Sequence, residues 1–285
     1  MTNIDAQKFN IKINTLLVCG LILSLISQQA LAYGLIFNTS FEVVQKPGPD
    51  NTGPSDESVL VPTGSFTADE DGAIIEDVFV TGRIKITADN VTIRNFKIDA
   101  TGTSYGIQAN LGTTGLWLED GEIMNMNSAG ILGTGYTALR LNIHDSGGDG
   151  LKVQGGTNPT YVGNSWIHHL GTNDGAHADG NQSRSGSHIT FTHNNCDMPI
   201  TDPAPYKSNA CFMLQTAEGP LDNFTIKNNW LNGGNYTLYC AGTRLRIIGN
   251  KFGRDYRYGI RNSCSNEHTE WRDNVWDNTG AIIPN

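Results

Sequence analysis

The chain has 285 residues, of which 33 are Gly and only 16% are charged, and it carries a formal net charge of −9. Its 19 Lys and Arg are outnumbered by 28 Asp and Glu. This balance argues against nucleic-acid partners, because binding to a phosphate backbone needs a positive surface. The apolar content of 38% is above that of a disordered tail. Abundant Gly, Asn and Thr between short apolar runs predict many strands joined by tight turns.

Residues 1–32 are predicted to be a signal peptide. Lys8 and Lys12 precede a nearly continuous apolar run from Leu16 to Ile26, and Ala30-Leu31-Ala32 follows as a small-x-small cleavage site. The apolar run is too short to span a bilayer. We therefore expect a secreted or periplasmic protein, cleaved after Ala32, that has no membrane contact after cleavage.

Two kinds of short segment recur along the chain. The first alternates apolar and polar residues and ends near Asn or Asp, which predicts a strand and the turn that leaves it. Its copies are Ala88–Phe96, Thr114–Gly121, Tyr136–Ile143, Ser187–Asn195, Leu221–Asn229 and Thr243–Asn250. The second follows after a turn with the pattern x-Gly-apolar-x-small. The residue after its first apolar position gives a row of outward side chains: Gln108, Leu132, Lys152, His177, Phe212, Tyr239 and Arg261.

A repeat of about two dozen residues with short strands and no helical periodicity predicts a parallel β-solenoid, whose stacked coils share one core. We predict an all-β, right-handed, single-stranded parallel β-helix of about eight coils and a monomeric protein. Residues 33–72 are assigned to an N-terminal entry or capping segment, and residues 73–285 to the β-helix domain. The turn residues are expected to stack as a ladder from coil to coil: Asn95, Asp120, Asn194, Asn228, Asn250 and Asn274.

The four cysteines outside the signal peptide are expected to be structural. They form no C-x-x-C motif, which argues against a zinc knuckle or a thioredoxin-type centre. Four cysteines allow three pairings. Cys240 and Cys264 are about one coil apart, and Cys196 and Cys211 bracket the longest coil. We therefore predict the disulfides Cys196–Cys211 and Cys240–Cys264.

The chain resembles the secreted right-handed parallel β-helix repeat proteins of the pectate-lyase-like superfamily. Pro49–Thr52 and Ala73–Ile98 are similar to the opening of such proteins, and Asn274–Ile283 is similar to their closing segment. The resemblance covers nearly the whole mature chain and implies the fold and export. Because this fold carries lyases, hydrolases, epimerases and inert proteins, it does not by itself determine the activity.

A candidate catalytic face follows from aligning Asp149–Gly156 with Asp174–Asn181. In this alignment Lys152 stacks on His177, Gln154 stacks on Asp179, and these side chains all point outward.

The residue types suit uronate chemistry. β-Elimination needs a base for the C5 proton, a cation for the carboxylate and an acid for the leaving O4. His177 is expected to be the base or the acid, because imidazole titrates near neutrality. Lys152 neutralises the carboxylate or acts as the base, and Asp179 orients His177 or binds a cation.

Residues around this face are predicted to bind substrate or metal. The extra residues of the long coil, Thr201–Ser208, contain two prolines and an aromatic and are expected to project as a stiff binding loop. A divalent cation such as Ca²⁺ is assigned to Asp174, Asp179 and His169. The predicted substrate-binding residues are Gln154, Gln182, Arg184, Tyr206, Lys207, Tyr239 and Arg261.

These observations predict a secreted carbohydrate-active enzyme, with a polysaccharide lyase acting on an acidic glycan as the first hypothesis. Three alternatives stay open. The same scaffold suits a C5-epimerase or a glycoside hydrolase, and it also suits a non-catalytic carbohydrate-binding or surface-structural solenoid. Under each of the three enzyme hypotheses, the expected partner is a polysaccharide substrate.

Overall fold

The structure is a computed structural model that describes residues 45–264 and 268–285. Its strands form one sheet in which all ladders between named strands are parallel. The chain is therefore a parallel β-solenoid, as the repeats predicted. The predicted signal peptide and its cleavage site lie outside the described residues. Within those residues, no helix is both long enough and apolar enough to cross a membrane.

One short 3₁₀ helix, Glu57–Val59, precedes the strands. The strands are β1 Val61–Ala68, β2 Ile74–Ile86, β3 Thr92–Asp99, β4 Tyr105–Ala109, β5 Leu116–Met124, β6 Ala129–Leu132, β7 Tyr136–His144, β8 Asp149–Lys152, β9 Thr160–Gly163, β10 Trp166–His168, β11 Ala178–Ser183, β12 Gly186–Thr192, β13 Asn195–Met198, β14 Ser208–Leu214, β15 Leu221–Lys227, β16 Trp230–Gly233, β17 Tyr236–Tyr239, β18 Leu245–Ile248, β19 Lys251–Phe252, β20 Gly259–Asn262, β21 Thr269–Arg272 and β22 Val275–Trp276.

The strands stack in three ladders along the solenoid axis. The first ladder runs through β2, β3, β5, β7, β9, β12, β15, β18 and β21, and the second through β7, β10, β13, β16, β19 and β22. The third runs through β2, β4, β6, β8, β11, β14, β17 and β20. The turns between the second and third ladders, which we call the functional corner, carry most of the site described below. The first strand, β1, pairs with β2 and lies within the segment predicted as an entry or cap.

The core is a continuous column of aliphatic and aromatic side chains inside the coils. A column of glycines explains the x-Gly-apolar pattern of the third ladder. A Cβ on Gly130 would lie 2.9 Å from the carbonyl oxygen of Gly150, and one on Gly150 would lie 2.7 Å from that of Gly180. On Gly180 it would lie 2.8 Å from the oxygen of Cys211. Only glycine allows the coils to approach this closely.

An asparagine ladder is present at the corner that follows the first ladder of strands. The Oδ1 of Asn229 accepts from the backbone N–H of Asn194 at 2.8 Å, and Asn250 and Asn274 continue the pattern at 3.0 and 2.9 Å. The predicted members Asn194, Asn250 and Asn274 are confirmed. Asn228 is not a member, because it occupies a left-handed turn position at φ +55° and its neighbour Asn229 points inward. Asn95 and Asp120 are not members either, because they lie inside β3 and β5, where their side chains contact Asp77 and Arg140.

Both predicted disulfides are confirmed. Cys196 on β13 bonds Cys211 on β14, with Cα atoms 5.8 Å apart, and Cys240 bonds Cys264, with Cα atoms 4.9 Å apart. The first bond closes the coil that carries the Thr201–Ser208 loop. A loop of this size is stabilised by about 3 kcal/mol in the chain-entropy view of a disulfide.

Candidate functional site

The predicted alignment of Lys152 with His177 is wrong, because Lys152 on β8 pairs with Gln182 on β11. The sequence offers two Asp-Gly pairs, Asp174-Gly175 and Asp179-Gly180, and the second is the true counterpart of Asp149-Gly150. A Cβ added at Gly180 would lie 2.8 Å from a backbone oxygen of the next coil, whereas a Cβ added at Gly175 would have no atom within 4 Å. The coil therefore rejoins the ladder only at Ala178, after a long turn. The predicted stacking of Gln154 on Asp179 fails for the same reason.

The correction also changes the outward row of the third ladder. Gln108, Leu132, Lys152 and Tyr239 hold their predicted places in this row. The remaining three positions are taken by other residues than predicted. Gln182 replaces His177, and the next residue along the chain replaces the predicted one in the other two cases, Met213 for Phe212 and Asn262 for Arg261.

Lys152 and Asp179 are nevertheless connected, through Asp149. The ammonium group of Lys152 lies 3.3 Å from Oδ2 of Asp149 and donates to the Ser128 hydroxyl at 3.1 Å. The other oxygen of Asp149 accepts from the backbone N–H of Asp179 at 2.9 Å. Gln182 donates to Asp179 at 3.4 Å. The result is a polar network just beneath the outward row.

Two carboxyl groups of this network are buried. Burial raises the pKa of Asp149, against the lowering effect of Lys152. Burial and the charge of Asp149 raise the pKa of Asp179 well above 3.8. Because Asp179 is only 1% exposed, it acts on neighbouring side chains and does not face solvent or substrate.

His177 lines a cavity of about 260 Å³ in the functional corner. Tyr206 and Lys207 of the projecting loop form one wall, and Arg257 comes from a coil farther along. None of the described residues that line this cavity is Asp or Glu. Lys207 also donates to the carbonyl of Asn173 at 2.9 Å and lies 3.5 Å from the exposed carboxylate of Asp174. Three predicted site residues are thus brought together, although not on the predicted face.

Two asparagines join the cavity to the buried network. Asn209 and Asn235 both line the cavity. Asn235 donates to Oδ1 of Asn209 at 3.0 Å, and Asn209 donates to Oδ1 of Asp179 at 2.9 Å. The buried carboxyl of Asp179 therefore fixes the orientation of an amide in the cavity.

A histidine cluster adjoins the cavity on its other side. His144 and His168 occupy successive outward positions of the second ladder, and their rings stack at 5.1 Å. His144 bonds Glu122 at 2.9 Å and Asp145 at 2.7 Å. The ring of His169 packs edge-on against Tyr206 at 4.8 Å. Tyr206 is therefore shared between the histidine cluster and the cavity.

The pKa values in the cluster move apart. Burial lowers the pKa of His144, but hydrogen bonds and charges from Glu122 and Asp145 outweigh burial and raise it. Burial and the neighbouring histidines lower the pKa of His168 to about 3. Burial raises the pKa of Glu122, but His144 and Lys97 outweigh it and bring the value to about 2. Both ring nitrogens of His144 face carboxylates, so protonation is favoured at His144 and opposed at His168.

The neutral state of His168 fixes its tautomer. Its Nε2 lies 2.9 Å from Oδ1 of Asn142, which only accepts, so Nε2 carries the proton. Its Nδ1 then accepts from Nδ1 of His169. The N–H of His169 is therefore directed into the cluster.

Other predicted binding residues are dispersed. Gln154 and Arg184 lie together elsewhere on the surface, where both contact Glu218, at 3.3 and 2.9 Å. Arg261 pairs with the inward position Leu238, lies 4.4 Å from the Trp271 ring and donates to the carbonyl of Pro284 at 3.1 Å. The predicted position of Arg261 on the outward row is therefore wrong.

The predicted metal ligands do not come together. Asp174 is exposed beside Lys207, Asp179 is buried against Asn209, and His169 contacts His168 and Tyr206. Across residues 45–264 and 268–285, no group of three or more His, Cys, Asp or Glu is arranged to hold a metal ion.

Sequence reasoning missed His144, Asp145, Asn209 and Arg257, and it considered His168 only as an alternative to His169 for a metal ligand. A signal for His144 and Asp145 existed, because Asn142-Ile143-His144-Asp145 and Trp166-Ile167-His168-His169 repeat with a separation of one coil. Asn209, near the start of β14, and Arg257, in a turn, had no such signal.

Comparison with known proteins returned no match: no family model, no curated protein and no solved structure is similar to this chain.

Proposed function

We propose that this protein is a secreted carbohydrate-active enzyme of the pectate-lyase-like superfamily that cleaves a uronate-containing glycan by β-elimination. The observation that carries the proposal is the lining of the cavity, where His177, Lys207 and Arg257 meet two amides and a phenol. Cationic groups with amide donors suit a sugar carboxylate, because charge-assisted hydrogen bonds to carboxylates are strong and directional. The two disulfides support export to an oxidising compartment.

Each part of the elimination has a residue in the cavity. Lys207 and Arg257 neutralise the carboxylate, which makes the adjacent C5 proton more acidic. His177 accepts that proton, the released electron pair forms the C4–C5 double bond, and the C4–O4 bond breaks. The O–H of Tyr206 turns from Asp145 toward the leaving oxygen and gives its proton to it. A hydrogen bond to Asp145, together with burial, raises the pKa of Tyr206 to about 12, so the phenol is protonated at neutral pH.

The buried network supports this chemistry without touching the substrate. Asp179 holds Asn209, and Asn209 receives a further bond from Asn235, so both amides keep one orientation toward the cavity. We assign Asp179 as a positioning residue. Lys152 and Gln182, on the outward row of the third ladder, contact sugar units beside the cavity.

The test is incubation of the mature chain with a panel of polyuronates, followed by the ultraviolet absorbance of the unsaturated product. The variant H177A should lose nearly all turnover and keep its thermal transition, because an exposed side chain contributes little to the core. K207Q and R257Q should mainly raise KM. K227Q and R83Q, at exposed positions of the same residue types, are the matched controls. Full turnover by H177A would overturn the assignment of the base.

Alternative functions give different products in the same assay. A C5-epimerase exchanges the C5 proton with solvent deuterium and leaves the polymer intact. A glycoside hydrolase gives saturated ends, and a non-catalytic binder retains the polymer unchanged. Any of these three results would replace the lyase assignment.

A further inference from the structure

Three tyrosines form a cluster beside the cavity, which we call the tyrosine platform: Tyr236, Tyr239 and Tyr258. The ring centroids of Tyr236 and Tyr239 are 5.4 Å apart, and those of Tyr236 and Tyr258 are 5.6 Å apart. Tyr258 is 64% exposed, and the other two are half-buried. A ring that is so exposed contributes little to the packing of the hydrophobic core. Clusters of exposed aromatic side chains are typical of binding surfaces.

The platform is continuous with the cavity. Asn235 and Arg257 line the cavity and directly precede Tyr236 and Tyr258 in the chain. The backbone N–H of Tyr258 donates to the carbonyl of Asn235 at 2.9 Å, so the two turns lie on adjacent coils. The Arg257 guanidinium is 6.0 Å from the Tyr258 ring centroid. One cation therefore borders both the anion-binding cavity and the aromatic surface.

The geometry points to a ligand longer than the cavity. We propose that the tyrosine platform binds pyranose rings of the same acidic glycan whose carboxylate occupies the cavity, so that the polymer runs along the solenoid axis. This inference rests on the proposed function. The cavity of about 260 Å³ is below the usual range of pockets that enclose a whole drug-sized ligand. The coil of Tyr258 lies two coils beyond that of Lys207, about 10 Å along the axis.

The ring chemistry of the platform suits a sugar polymer. Tyrosine rings offer apolar faces to the C–H groups of a pyranose, while their hydroxyls hydrogen-bond to its hydroxyls. A simple inorganic anion would use the cavity and gain nothing from the platform. The dependence of binding on chain length therefore separates these two classes of ligand.

The experiment measures dissociation constants for H177A, which prevents turnover, with oligogalacturonate and oligomannuronate series from dimer to hexamer. Affinity for one series should rise with length until the glycan covers the platform. Y258A and Y236A, each in the H177A background, should bind the longest oligomer about fivefold to tenfold more weakly and the dimer as before. Y105A in the same background is the matched control, since Tyr105 begins β4 near the other end of the third ladder.

The outcomes are distinct. Dimer binding with no gain in affinity for longer oligomers would overturn the platform and leave the proposed function standing. Equal losses for dimer and hexamer in Y258A would also overturn it, because the tyrosine would then belong to the cavity. Binding of no member of either series would overturn both proposals.

Discussion

The hydroxyl of Tyr206 donates to Oδ1 of Asp145 at 2.8 Å, across 61 positions of the sequence. This bond ties the projecting loop to a turn that lies two coils earlier. Because Asp145 also holds His144 at 2.7 Å, the loop, the cavity and the histidine cluster share one charged hydrogen-bond network. The loop that carries Tyr206 and Lys207 is therefore placed by electrostatics as well as by the adjacent disulfide.

Replacement of Tyr206 by Phe tests this link. Y206F keeps the ring contact with His169 and removes only the hydroxyl. We expect a loss of about 1 kcal/mol in the free energy of unfolding, measured by chemical denaturation, together with a clear fall in turnover. Y161F on β9 is the control. Unchanged turnover in Y206F would rule out the tyrosine as the proton donor.

His144 should make stability depend on pH. Its pKa is raised above 6.5 in the folded chain, so its contribution is fully present below 6.5 and is lost as the pH rises through the folded pKa. H144Q should lack this decline, measured as the denaturation midpoint across a pH series. N278A, at an exposed turn and without a titratable group, should keep the wild-type profile. Identical profiles for H144Q and the wild type would contradict the assigned ion pairs.

Asp179 should also make stability fall as the pH rises, but because its ionised form is penalised by burial. Its pKa is raised well above 3.8, so the folded chain retains a proton that the unfolded chain has lost between 3.8 and the folded pKa. Stability therefore falls as the pH rises through this window. D179N should flatten this part of the profile, whereas N278A, at an exposed position without a titratable group, should not. D179N should also weaken substrate binding, because Asp179 accepts from both Asn209 and Gln182, whereas an asparagine has only one acceptor oxygen. If the stability of D179N fell as steeply with pH as that of the wild type, the raised pKa of the Asp179 carboxyl would be refuted.

The asparagine ladder should be a major source of stability. Asn229 is fully buried, and its Oδ1 accepts both the backbone and the side-chain N–H of Asn194, at 2.8 and 3.0 Å. N229A leaves these donors without a partner and should lower the free energy of unfolding by about 2–3 kcal/mol. N278A, at an exposed position, should change it little. A loss in N229A no larger than in N278A would show that the ladder contributes nothing beyond local turns.

The sequence by itself determined the solenoid, most of the asparagine ladder and both disulfides. These features depend on periodic alternation and on spacing by one coil, which are properties of local segments. The outward places of Lys152 and Tyr239 followed from the same pattern. His144 and His168 were also readable as a repeat of one coil.

Only the tertiary structure decided which Asp-Gly pair continues the ladder, and hence where His177 points. The local pattern favours the first pair, because the apolar Ala176 follows Gly175 whereas the polar Asn181 follows Gly180. The choice depends on close backbone contact at Gly180, whose added Cβ would lie 2.8 Å from an oxygen on the next coil. The sequence did not predict the cavity for a related reason. Arg257 and Asn235 reach it from turns of later coils, and both residues lie outside the two repeated segments that the sequence displays.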